Sequence, residues 1–129
     1  MPRVSYAFFA FAALCGLIGT IWGSRMGETG DHSTFAAHAH LNLLGWLGMA
    51  VMGGFYALTA GRVPGWLAWT NFALAAIGAT SLAVAMVYIF AAGDDRFVPL
   101  VIVGSVGTIL AMVSFLGAVL VAWRRNEVR

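Results

Sequence analysis

All three histidines of the chain fall within nine residues, at His32, His38 and His40. A neutral imidazole nitrogen ligates zinc, copper and iron, and few other side chains suit those metals as well. Asp31 precedes His32 and Asn42 follows His40, so one short stretch carries three imidazoles, a carboxylate and an amide. The rest of the chain offers little competing chemistry. A single cysteine, Cys15, excludes an intrachain disulfide and a CxxC metal site. There is no glycine-rich phosphate loop, no nucleophile beside a base and no pair of carboxylates inside an apolar run. Metal ligation by imidazole is therefore the chemistry to weigh. Its structural counterpart is a histidine that only hydrogen-bonds a neighbouring helix.

The elements that hold these residues are membrane elements. Hydrophobic residues make up 61% of the 129 and charged residues 9%, against about 45–50% and roughly 25% in a soluble domain. So few charges cannot cover a water-soluble surface, which excludes a soluble enzyme and a nucleic-acid partner. Four uncharged runs stand out, at residues 4–23, 35–60, 66–91 and 97–123. Each meets the roughly 20 residues a helix needs to cross the hydrocarbon layer. The runs are continuously apolar, without the alternation of a membrane β-barrel. The expected fold is all-α: one transmembrane domain over 1–129, a four-helix bundle embedded in lipid. The first run lacks a small-x-small cleavage site and is expected to be retained.

Charge fixes the expected orientation. All seven basic residues are arginines. Arg3, Arg62, Arg124, Arg125 and Arg129 belong to the termini and the second connection, while Arg25 and Arg96 fall in the first and third. The positive-inside rule then places both termini in the cytoplasm of a bacterial inner membrane. Trp22, Trp66, Trp69 and Trp123 lie near span ends as interfacial anchors. The histidines consequently sit toward the outer face, at the start of the second helix.

Helical geometry separates them. His38 and His40 point about 200° apart, so one helix cannot present both to one ion. His38 heads a stripe of polar and small residues at helical spacing: Asn42, Gly45, Met49, Gly53 and Tyr56. Such a face lets another helix or a flat ligand approach the backbone. His40 heads a bulky stripe, Leu44, Leu47, Val51 and Leu58, suited to lipid or to a second copy of the protein. Asn71, Thr80, Ser81, Ser105 and Ser114 on the later helices read as residues that hydrogen-bond other helices or their own backbone.

The run His38-Ala39-His40-Leu41-Asn42-Leu43-Leu44-Gly45-Trp46, followed by Gly53-Gly54-Phe55, resembles the second helix of haem–copper oxidase subunit I, in its cbb3-type and nitric-oxide-reductase-like branches. It is also similar to the NnrS-type haem- and copper-containing membrane proteins. The resemblance implies that a histidine near the outer end of helix 2 is an axial ligand of a low-spin haem b. The His-x-Asn pattern selects His40; the distance to Gly53-Gly54 and the small-residue face select His38. Asn42 and Gly45 join the cofactor-binding set, and Arg25 and Arg96, on the same side, are the expected propionate partners. The chain departs from that family in having no histidine after His40. A copper–haem centre would lack ligands, so oxygen reduction is not expected. A single low-spin haem would lack its second axial ligand too, which points to a homo-oligomer through helix 2 with a separate redox partner.

Three readings stand at this stage. One is a haem b protein of electron transfer or nitric-oxide and redox response. Another is a zinc or copper site near the outer face built from Asp31, His32, His38 and His40. The last is a structural or transport subunit whose histidines only pack.

Overall fold

The computed structural model describes residues 1–127. Arg129, counted above with the basic C-terminal end, lies outside the described residues. Four helices run through the chain: α1 over Arg3–Thr29, α2 over Phe35–Leu58, α3 over Gly65–Ala92 and α4 over Val98–Glu127. A 3₁₀ turn at Asp95–Phe97 leads into α4. No strand occurs among the described residues. All four helices are long and apolar enough to cross a membrane.

The helix ends are set by backbone chemistry and not by where hydrophobicity stops. α1 continues past residue 23 to Thr29 and halts at Gly30, whose left-handed φ of 69° lets its N–H reach the Met26 carbonyl. Arg25 and Glu28, expected in a connection, therefore ride on the last turns of α1. Gly93 closes α3 in the same way, with φ 65° and its N–H on Ile89 O. The turn after α2 uses Gly61 at φ 80°, and Pro64 leads into α3 with an extended ψ of 136°.

α1 and α2 form an antiparallel hairpin, α3 packs against the other three helices, and α4 rests almost wholly on α3. Lipid tails are as apolar as leucine, so helices of this kind, once in lipid, would be held together by close packing and hydrogen bonds and not by burial from water. Both are present. At the α3–α4 crossing the backbones nearly touch: a Cβ on Gly78 would lie 2.6 Å from Thr108 Oγ1 and 2.7 Å from Thr108 N. Gly104 and Gly107 provide the matching flat surface, with Gly107 against the Cα of Gly78.

A buried polar pin joins three helices. Asn71 on α3 is fully buried; its Oδ1 accepts from the Tyr56 hydroxyl of α2 at 3.0 Å. Its Nδ2 donates to Ala111 O at 2.8 Å and to Ser114 Oγ at 3.1 Å, both on α4. Around it Phe8 stacks on Tyr56 and meets Phe72 edge-on. The outer face of α4 is left uncovered, with Ile102, Ile109, Val113 and Leu116 exposed.

Candidate functional site

The histidine-bearing half of α2 is not a regular α-helix. Residues Leu41–Gly48, directly after His40, are wound as a π-helix, the wider i→i+5 form that recurs at functional sites. Side chains on either side of its start compete for backbone carbonyls. His40 Nδ1 lies 2.8 Å from Ala36 O, and Asn42 Nδ2 donates to His38 O at 2.9 Å. Side chains that bond to carbonyls one turn back bend or distort a helix locally. Ala37, Leu41, Gly45 and Met49 are all buried at successive steps of four.

His38 and Asn42 face α1, where a row of glycines receives them. A Cβ on Gly23 would come within 3.1 Å of the His38 ring, one on Gly19 within 2.4 Å of Asn42 Oδ1, and one on Gly16 within 3.0 Å of Trp46. The fit runs both ways. Cys15 Sγ fills the space beside Gly45, and Phe8 Cβ the space beside Gly53. Trp22 meets the His38 ring edge-on, with centroids 6.1 Å apart, and donates its indole N–H to Thr34 Oγ1 at 3.0 Å. The small face of α2, expected to leave room for another helix or a flat ligand, is thus occupied by α1 from Gly53 to His38.

His40 points elsewhere and is half-buried. A carbonyl oxygen has no proton to give, so Nδ1 must carry the hydrogen it shares with Ala36 O. In the neutral ring that fixes the tautomer and leaves Nε2 with its lone pair. A backbone acceptor on one ring nitrogen and a free lone pair on the other is the arrangement of a ligating histidine. His32 has the same tautomer, through Gly30 O at 2.9 Å, but on an exposed loop. Its neighbour Asp31 accepts from Ser33 N at 2.9 Å, and that backbone bond holds its carboxyl below the usual carboxylate range. Asp31, His32, His38 and His40 are not brought together. Among the described residues no group of three or more His, Cys, Asp and Glu side chains is close enough to hold a metal ion.

The two arginines also part ways. Arg96 is held by Asp94 through bonds of 2.9 Å from Nε and 2.7 Å from Nη2. The pair lowers the Asp94 carboxyl and raises the Arg96 guanidinium relative to their ordinary values. Arg25, on the last turns of α1, is exposed and its side chain carries no hydrogen bond within the described residues.

Sequence reasoning passed over the glycine row of α1. Its signal was available, since Gly16, Gly19 and Gly23 repeat at steps of three and four and mirror the small stripe of α2. No protein-family model matches this chain, and neither curated proteins nor solved structures give a match. What the site can do is read from its geometry.

Proposed function

We propose that this chain is an integral protein of the bacterial inner membrane that binds haem b, with His40 Nε2 as an axial ligand. The observation that carries the reading is the His40 ring itself. Its Nδ1–H is fixed on Ala36 O and its Nε2 lone pair is unspent, beside a π-helical stretch that departs from ordinary helix geometry. The donor set fits the group in part. His40 supplies an imidazole of fixed tautomer, and Arg25 supplies an uncommitted guanidinium for a propionate. Gly45 and Asn42 serve indirectly, by seating α2 on α1, and His38 is a packing residue of that hairpin. When bound, haem b supplies one-electron chemistry or an iron site for a diatomic ligand. Electron transfer or a nitric-oxide and redox response suits a chain that lacks histidines for an oxygen-reducing centre. The bulky His40 side of α2 is where a second copy would bring the other axial imidazole, making the working unit a homo-oligomer with an external redox partner. The arginine distribution supports cytoplasmic termini.

An absorption spectrum of the detergent-solubilised protein, purified from haem-replete cells, tests this. A Soret band is expected in the parent and in His38→Gln, and its loss in His40→Ala. A band that survives His40→Ala overturns the ligand assignment. A colourless protein holding stoichiometric zinc or copper replaces haem with the metal-ion reading. A colourless, metal-free protein makes the histidines structural.

A further inference from the structure

At the end of the molecule carrying both termini, the turn between α2 and α3 and the last turns of α4 enclose an open cavity of about 220 Å³. Phe55, Thr59, Arg62, Val119, Ala122 and Trp123 line it. Its walls are built by local chemistry. Thr59 Oγ1 caps Phe55 O at 2.7 Å, and Arg62 N–H closes the turn on Thr59 O at 2.9 Å, with Gly61 between them in the left-handed region. This turn aims the Arg62 carbonyl at α4, where Arg125 Nη1 donates to it at 3.1 Å. Arg62 is part of the lining and the Arg125 guanidinium is held beside it on the Arg62 carbonyl, so two basic residues meet at this largely apolar cleft. Trp123, also in the lining, is 61% exposed, as suits an indole at a membrane interface. Among the described residues the one ion pair is Arg96–Asp94, at the other end of the molecule.

We infer that this cleft is a site for one anionic phospholipid, its phosphate between Arg62 and Arg125 and one acyl chain along Phe55, Val119 and Trp123. Basic pockets between membrane helices near the cytoplasmic surface take lipids of this charge. Charge complementarity selects the lipid class, and the apolar floor requires a chain as well as a phosphate. The proposal does not depend on His40 or on any cofactor.

Native mass spectrometry of the delipidated protein, offered equimolar dioleoylphosphatidylglycerol and dioleoylphosphatidylcholine, tests it. A basic residue near the surface is worth about fivefold in affinity for an anionic lipid. With two engaged and partly screened, one phosphatidylglycerol is expected to be retained over phosphatidylcholine by roughly tenfold. The double variant Arg62→Gln/Arg125→Gln should bring the ratio to about one, while Arg96→Gln leaves it unchanged. Val119→Phe narrows the cleft and keeps both charges. It should lose the bound lipid, which mere surface attraction would not. Equal retention of the two lipids by the parent, a ratio indifferent to the double variant, or full retention in Val119→Phe overturns the site.

Discussion

The α3–α4 crossing gives the sharpest test of how this protein is held together. In Gly78→Ala the new Cβ would sit 2.6 Å from Thr108 Oγ1, 2.7 Å from Thr108 N and 3.1 Å from Gly107 C. Carbon contacts are optimal at about 3.5–4.0 Å, so relief requires the helices to part by about 1 Å. No flexible side chain can swing aside, because two of the three atoms belong to the α4 backbone. A radial gap of about 0.5–1 Å forfeits a quarter to a half of each dispersion contact, and overpacked cores lose about 1–3 kcal/mol. Alanine returns up to about 1 kcal/mol of helix propensity. The net expectation is a loss of about 1–2 kcal/mol, five- to thirty-fold in the folding equilibrium. Gly117→Ala is the control, since nothing lies within 4 Å of a Cβ there. Reversible unfolding in mixed micelles of sodium dodecyl sulfate, followed by circular dichroism, measures both. If Gly78→Ala equals or exceeds Gly117→Ala in stability, the two backbones do not meet as described.

The polar pin predicts a graded series in the same assay. Tyr56→Phe, which removes one hydrogen bond, should cost about 0.6 kcal/mol, and Asn71→Ala, which removes all three, about 2 kcal/mol; equal losses would contradict the assignment. The Asp94–Arg96 pair has a defined acid limit. Because the Asp94 carboxyl titrates below its ordinary value of 3.8 when folded, the pair's contribution is present above that value. It is lost only as pH falls through the lowered folded value, so nuclear magnetic resonance of the Arg96 guanidinium should stay constant down to pH 4 and change below it. Orientation is tested by Glu28→Cys in a Cys15→Ala background, which should react with an impermeant maleimide added to the periplasmic side; labelling from the cytoplasmic side alone would reverse the topology.

Most of the architecture was legible in the sequence because membrane helices announce themselves by length and apolarity. Their order, number and approximate positions follow from 4–23, 35–60, 66–91 and 97–123. Helix ends were less legible. Hydropathy detects where a helix enters water, whereas Gly30 and Gly93 stop helices by backbone conformation, so Arg25 moved from a loop onto α1. The interhelical role of Asn71 and Ser114 was legible, since buried polar groups in lipid must find partners. Which partners they find was not, because Tyr56 and Ala111 lie on other helices and only the fold brings them together. The π-helical stretch was invisible to a reading that assumes 3.6 residues per turn throughout. It begins where His40 and Asn42 hydrogen-bond to carbonyls one turn back, a competition that hydrophobic periodicity does not record.

That competition bears directly on His38 and His40. Two residues apart on one helix, they would be expected to do opposite things, and the hydrogen bonds say which does which. The backbone carbonyl of His38 is taken by Asn42, and its ring is enclosed by Gly23 and Trp22, so it joins the α1–α2 packing. His40 spends only Nδ1 on its own helix, on a face that α1 does not cover. The glycine row of α1 supplies the complement: by drawing His38, Asn42 and Trp46 inward, it fixes the rotation of α2 and so turns His40 away from α1. Small residues on one helix thereby set the direction of a side chain on the next.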